Sequence, residues 1–406
     1  MITRVEALGF RCLRRVSQPL EGFHVLVGPN ASGKTTFLDV VAFLGDLISG
    51  GLDKAVGDRT ANFQDLTWRR EGERFELAIE AQIPVELRER LENPAFDTVR
   101  YEVALRSDPQ SREVGFEGEW ITLHCGPSKE FSSTLLILQE PSSIVIARDS
   151  ASVASFASET SVQGVRGFEF KLGSRRSALA NLPEDESKFP VATWLKGLLL
   201  GGVQRLVLNS LAIRQASPPG QGRRLRPDGS NLPWVVADLE RHAPERLREW
   251  ISHLQTALPD LETVRTVERA DDKHRYLMLG YRGGVEVPSW MASDGTLLLM
   301  ALTLPAYLPD LSGTFLIEEP ENGIHPRAVE TMFQSLSSVY GAQILLATHS
   351  PVILSLVEPE QLLCFSKNSE GATEIVRGSD LPALKEWRGE TSLGVLFASG
   401  VLGYAQ

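Results

Sequence analysis

The segment Gly28-Pro29-Asn30-Ala31-Ser32-Gly33-Lys34-Thr35-Thr36 sets small residues, one lysine and two hydroxyls in the order GxxxxGK[ST]. Phosphate oxygens need several amide N–H groups aimed inward, and small residues let a backbone curl that tightly. The start of a following helix adds free N–H groups and the positive end of its dipole. Lys34 can then reach the β- and γ-phosphates of a nucleotide, and the Thr35 hydroxyl can complete a magnesium shell. A second run, Thr314-Phe315-Leu316-Ile317-Glu318-Glu319, is an apolar strand ending in two acids. Neighbouring side chains on a strand point to opposite faces, so the two acids need not share a role. Glu318 can hold the water shell of the metal, and Glu319 can orient or deprotonate an attacking water.

Two further sets fit the same chemistry. Ser293-Asp294-Gly295-Thr296 offers a hydroxyl and free amides at a helix start, which suits a γ-phosphate, although an ordinary N-cap reads the same way. His349, in Leu345-Leu346-Ala347-Thr348-His349-Ser350-Pro351, closes an apolar strand and can sense a γ-phosphate there.

The elements around these residues follow from periodicity. Phe23-His24-Val25-Leu26-Val27 predicts a strand before the glycine loop, and Phe37, Val40, Val41, Leu44 and Ile48 predict one face of a helix after it. From about Glu73 to Arg148 apolar and polar residues alternate, predicting strands. Ser150 to Ser161 reads as a Ser/Ala-rich surface loop, and the stretch after it as mainly helical. Leu232, Val235, Leu239, Leu247, Trp250, Ile251, Leu254 and Leu258 recur at helical spacing, with Pro244 breaking the run in two. After Asp294 the order helix, strand Thr314–Glu318, helix Arg327–Tyr340, strand Gln343–Ala347 predicts a parallel sheet covered by helices.

Composition bounds the rest. The 406 residues are 42% hydrophobic and 23% charged, which excludes a disordered or fibrous chain. The formal charge of −11 disfavours polyanions, so a nucleic-acid contact needs a local basic patch. Arg223-Arg224-Leu225-Arg226, with Arg214 and Arg175-Arg176, is the main basic feature; it reads either as a phosphate contact or as a solvated loop. Cys12, Cys125 and Cys364 lie far apart without a CxxC pair, so neither a disulfide framework nor a zinc site is expected. No signal peptide or membrane span is expected, and the chain reads as cytoplasmic.

Taken together, GPNASGKTT, SDGT, FLIEEPENGIHP and LLATHSP resemble the ABC-type AAA-family ATPases, the group related to RecF, SMC and the OLD ATPases. The likeness is nearest to stand-alone bacterial ATPases with an EEPExxxHP segment. It extends to Asp228-Gly229-Ser230-Asn231-Leu232 and to Ser392-Leu393-Gly394, leaving about Gly50 to Gly201 unmatched. It implies an α/β P-loop NTPase of ABC-ATPase type, with a β-rich N-terminal lobe and an inserted helical subdomain. Residues 1–150 would form the N-terminal half of the ATPase, 151–285 the helical insert or lid, and 286–406 the C-terminal half.

By resemblance, ATP and Mg2+ are the cofactors. Asn30, Ala31, Ser32, Gly33, Lys34, Thr35 and Thr36 belong to the Walker A loop, and Glu318 and Glu319 form the Walker B pair. Ser293 to Thr296, with Ser293 and Gly295, stand at the ABC signature, Glu321 to Pro326 at the D-loop and His349 at the switch histidine. Gln64 is the candidate Q-loop ligand of the metal, and Arg11 either lines the nucleotide or is a plain surface residue. Two subunits of this class close head to tail, each signature serine facing the nucleotide on its partner. The implied function is an ATP-hydrolysing, dimerising switch in DNA maintenance or anti-phage and anti-plasmid defence, with a neighbouring effector or DNA as partner. Two alternatives stand beside it. A transporter's energising ATPase sits poorly with the long separation of Lys34 from Ser293. An OLD-like nuclease lacks a paired-acid metal motif after His349.

Overall fold

The computed structural model describes residues 1–126, 142–149, 153–160, 167–385 and 393–398. The chain opens with β1 (Ile2–Phe10), β2 (Leu13–Pro19), β3 (Phe23–Val27) and the long helix α1 (Lys34–Gly57). It continues through β4 (Arg74–Gln82), α2 (Val85–Arg88), β5 (Thr98–Ser107), β6 (Val114–His124), β7 (Ser142–Arg148), β8 (Val153–Phe156) and β9 (Phe168–Lys171). Then come α3 (Pro190–Gly197), β10 (Val203–Leu206), α4 (Ser210–Arg214), α5 (Leu232–His242) and α6 (Pro244–Gln255). The strands β11 (Leu261–Glu268), β12 (Arg275–Tyr281) and β13 (Val285–Pro288) lead to α7 (Asp294–Thr303), β14 (Thr314–Glu318), α8 (Pro326–Ser337) and β15 (Gln343–Ala347). The described chain ends with α9 (Pro351–Leu354), β16 (Leu362–Lys367), β17 (Thr373–Arg377), α10 (Pro382–Lys385) and α11 (Leu393–Ala398).

These strands form three sheets. The central one has the order β10-β14-β15-β3-β16-β17 and is parallel except for β17. Along β3, Leu26 enters one apolar cluster, while Val25 and Val27 enter the other. The same alternation runs through β14, where Leu316 faces one way and Phe315 and Ile317 the other. A sheet covered on both faces needs such continuous apolar strands. Parallel pairing brings the ends of β3, β14 and β15 to one edge, with Glu318 opposite Ala347 and Ala347 opposite Leu26. The glycine loop, the acid pair and His349 therefore leave the sheet side by side.

One face of the central sheet is covered by α1 and by an eight-stranded antiparallel sheet, β2-β1-β4-β5-β6-β7-β8-β9. Phe37, Val40, Val41, Leu44 and Ile48 of α1 are all buried as the spacing predicts. Phe10, Phe43, Phe63 and Phe75 pack ring against ring where the helix meets that sheet. By length and composition α1 could cross a membrane, but its apolar residues lie in this core. The other face is covered by α5 to α8 and the small sheet β11-β12-β13.

Residues 151–285 hold more strand than the sequence pattern suggests. β8 and β9 extend the eight-stranded sheet, and β10 is an edge strand of the central one. The expected surface loop at 150–161 contains β8, whose Ala154 and Phe156 are fully buried; 150–152 and 161 lie outside the described residues. β8, β9 and β10, of four residues each, are too short to establish a period. β11 and β12, of eight and seven residues, join β13 in a sheet that departs from the helical reading of this region. The helical part is α3 to α6. Pro244 opens α6 as expected, and Leu232, Val235, Leu239, Leu247, Trp250 and Leu254 are buried.

Most of the arginine cluster is engaged within the chain. Arg214 pairs with Asp294 at 2.5 Å, Arg223 with Asp238 at 3.0 Å and Arg175 with Asp53, while Arg224 donates to the Gly201 carbonyl. Asn231, fully buried, ties down the same loop by donating to the Gly222 and Arg224 carbonyls and accepting from Arg226 N–H.

Candidate functional site

The glycine loop is tight for reasons visible at two positions. Gly28 has φ 149°, and a Cβ there would lie 2.2 Å from the Phe365 carbonyl oxygen. Gly33 has φ 108°, and its Cβ would lie 2.4 Å from Thr373 Oγ1. Both need glycine for backbone conformation and for close approach. Ala31 also sits in the left-handed region at φ 62°. That conformation costs an L-residue about 1–2 kcal/mol. The loop is buttressed from behind by the β16–β17 hairpin, where Thr373 Oγ1 donates to the Ser32 carbonyl at 2.8 Å.

The donors here fit a phosphate chain. The Ser32 hydroxyl is buried without a hydrogen-bond partner among the described residues. The first turn of α1 has neither an acidic residue nor a side-chain cap. Such a helix start offers unpaired N–H groups to an anion. Lys34 Nζ donates to the carbonyls of Gly28 at 2.8 Å and Pro29 at 3.1 Å. Burial pulls its pKa below the ordinary lysine value, against the opposing charges of Glu319 and Glu318.

The two acids occupy distinct settings. Glu318 Oε2 accepts from Thr35 Oγ1 at 2.5 Å, and its Oε1 accepts from Arg205 Nη2 at 2.6 Å. Glu319 turns the chain at φ 46°, donates its N–H to the Ala347 carbonyl at 2.7 Å, and accepts from Asn322 Nδ2 at 2.6 Å. Glu321 accepts from Thr348 Oγ1 at 2.5 Å and from His349 N–H at 3.2 Å, joining the loop after β14 to the end of β15. Burial, and then the charge of Lys34, hold the His349 pKa below the ordinary imidazole value. That direction favours the neutral imidazole. Thr35 and Glu318 are hard oxygen donors of the kind Mg2+ takes, with phosphate and water oxygens completing the shell. Among the described residues no three His, Cys, Asp or Glu side chains gather into a metal cage.

One cavity of about 350 Å³ is lined by Arg11, Cys12, the loop from Asn30 to Thr36, Glu318, Glu319, Ala347 and His349. Arg11 thus lines the site, with Nη1 donating to Asp39 at 3.0 Å. Gln64 does not line it; its side chain is exposed on the short turn Phe63–Leu66, which is tied to the site by Arg11 N–H donating to the Leu66 carbonyl at 2.9 Å. Ser293 and Gly295 do not line it either. Ser293 is exposed and caps α7, accepting from Thr296 N–H at 3.2 Å. Gly295 packs against the loop after β14, where a Cβ would lie 2.7 Å from the Gly323 carbonyl oxygen.

Sequence reasoning missed Arg205, Cys12 and Thr373, and placed Asn322 only within the D-loop segment, without its bond to Glu319. Asn322 follows Glu319 by three residues, a spacing that permits a local side-chain bond, so a signal existed. Arg205 and Thr373 arrive from strands far away in sequence, and nothing local marks them.

A family model described as "AAA domain, putative AbiEii toxin, Type IV TA system" matches residues 23–355. An OLD nuclease of Thermus scotoductus is 22% identical, over 98% of this chain and 68% of that protein. Among solved structures, an Smc head bound to the C-terminal winged-helix domain of ScpA matches with a TM-score of 0.52 and 14% identity, covering 92% of this chain and 97% of that one. A second Smc head with an extended coiled coil, bound to the C-terminal domain of ScpA derived from Pyrococcus furiosus, matches with a TM-score of 0.50 and 12% identity, covering 92% and 95%. Similarity at that identity speaks for the fold, an α/β P-loop core of the ABC type. The chain belongs to this AAA-domain family.

Proposed function

We propose that the chain binds ATP with Mg2+, hydrolyses it, and closes head to tail on a second copy when ATP is bound. The convergence of the glycine loop, Glu318, Glu319 and His349 in one cavity carries this proposal. The N–H groups from Asn30 to Thr36 and the Lys34 ammonium hold the phosphates, with Arg11 alongside. Thr35 and Glu318 would hold Mg2+, which when bound neutralises charge on the phosphate oxygens. Glu319 takes a proton from the attacking water. Its backbone is tied to Ala347 and its carboxylate to Asn322, so the base is held in place. Neutral His349 can hydrogen-bond a γ-phosphate without adding charge beside Lys34.

Ser293 is exposed and absent from the lining of the chain's own cavity, which supports a role toward a partner's nucleotide. The family and its OLD relative favour DNA maintenance or defence against phage and plasmids as the setting, with an effector protein or DNA downstream. In the test, Lys34→Ala should weaken nucleotide binding and abolish turnover. Glu319→Gln should keep binding and lose turnover by about 100-fold or more, the usual worth of a positioned base. Turnover of Lys34→Ala at the wild-type rate overturns the proposal. An unaffected Glu319→Gln moves the base to Glu318 or His349.

A further inference from the structure

We propose that Arg205 is a positioning residue that fixes the Glu318 carboxylate for its partner Thr35; this rests on the nucleotide–metal role proposed above for those two residues. β10 lies parallel to β14 with Arg205 opposite Leu316 and Leu206 opposite Ile317. From there the guanidinium reaches Glu318 Oε1 at 2.6 Å, while Oε2 accepts from Thr35 at 2.5 Å. Partners on both oxygens fix the plane of the carboxylate.

The need for such a clamp follows from side-chain length. Glutamate has one more methylene and one more torsion than aspartate, so an unrestrained Glu318 at the end of a strand would sample several rotamers. Arg205 removes that freedom from the side opposite Thr35. It acts through Glu318 rather than on phosphate, because it lines a neighbouring cavity of about 450 Å³ and is absent from the lining of the phosphate cavity. The acid pair is the wall common to both.

Arg205 is also a poor candidate for a stability role. Its side chain is 47% exposed and that of Glu318 is 24% exposed. Ion pairs so open to solvent add little to stability. Removing Arg205 should therefore leave the fold intact and be felt at the oxygen that faces Thr35. Groups that orient a metal's ligands commonly change metal affinity by about 10–100-fold when lost.

The experiment uses Mn2+ as a spectroscopic probe, its binding read by electron paramagnetic resonance with ADP present. Metal-free binding of a fluorescent ADP analogue is measured in parallel. Arg205→Ala should weaken Mn2+ binding in the ADP complex by about 10-fold or more. It should leave metal-free ADP binding within about twofold and the melting temperature unchanged. Arg205→Lys, which restores a cation without the planar fork, should recover part of the loss. On a Glu318→Gln background, Arg205→Ala should add nothing further, because the carboxylate it positions is already gone. If wild type binds ADP but Arg205→Ala holds Mn2+ as tightly as wild type, Arg205 positions nothing. An equal loss in both binding measurements, or a lowered melting temperature, also overturns the proposal in favour of a general structural effect. Wild-type protein that binds neither ADP nor Mn2+–ADP fails one step earlier, at the ATPase function itself.

Discussion

Several groups of the cavity are held by partners outside their own motif, as Arg11 is by Asp39 and Glu318 by Arg205, and Thr373 is the clearest such partner. Its hydroxyl is the only side-chain donor recorded among the described residues to the Ser32 carbonyl, and it packs against the Cα of Gly33. Thr373→Val keeps the shape and removes the donor. A buried carbonyl left without a partner costs about 1–3 kcal/mol, so the denaturant midpoint should fall accordingly. The floor of the phosphate loop loosens at the same time, so KM for ATP should rise more than kcat falls. A variant with wild-type stability and KM would mean that the loop holds its shape without the hairpin. Arg11, Ala31 and Glu319 all adopt positive φ within the same cavity. Strain of this kind persists only where surrounding contacts over-determine the backbone. Each of these turns has such contacts: Arg11 N–H on Leu66, Ser32 N–H on Pro29, and Glu319 N–H on Ala347.

At the scale of elements, legibility in the sequence tracks length and continuity. β3, β14 and β15 coincide with the strands read from Phe23–Val27, Thr314–Glu318 and Gln343–Ala347, because strands buried on both faces are unbroken apolar runs. α1 was legible from its buried face. β10 was not, since Val-Gln-Arg-Leu has no pattern of its own, and with it Arg205 stayed hidden. Long-range caps are equally invisible. α3 has no side-chain cap from its own N-cap residue; Glu159 instead accepts from the N–H groups of Val191 at 2.6 Å and Ala192 at 2.8 Å. Burial outweighs those bonds and pushes the Glu159 pKa from 4.5 up to about 7. A carboxyl whose pKa is higher folded than unfolded favours the folded state below the unfolded value. That contribution is lost as pH rises from about 4.5 through about 7. The loss amounts to no more than about 3 kcal/mol. Glu159→Gln should remove this fall, so that the gap between wild type and variant in denaturant midpoint changes between pH 5 and pH 7.5. Identical pH slopes would show that Glu159 is ionised throughout.

Across the whole molecule, the residues proposed to handle phosphate are gathered at one edge of the central sheet, while Ser293 stands outside its own chain's cavity. A composite site between two copies accounts for that separation and can be tested without disturbing α7. Aspartate caps a helix about as well as serine, so Ser293→Asp keeps the hydrogen bond to Thr296 N–H while placing a negative charge where a partner's γ-phosphate would sit. Its melting temperature and its affinity for nucleotide as a monomer should match wild type. ATP-driven association, read as mass by light scattering in the presence of ATP, should be lost, and turnover with it. Lys34→Ala should be inactive for the opposite reason, an intact Ser293 with a defective phosphate loop. In a mixed head-to-tail pair, one site joins Lys34 of the Ser293→Asp chain to Ser293 of the Lys34→Ala chain, and both residues are wild type. The second site carries both defects. Mixing two inactive proteins should therefore restore turnover to no more than half of the wild-type rate per site. Serine acting only as a helix cap predicts instead that Ser293→Asp alone hydrolyses ATP and gains mass as wild type does, and that result would remove the second copy from the catalytic cycle.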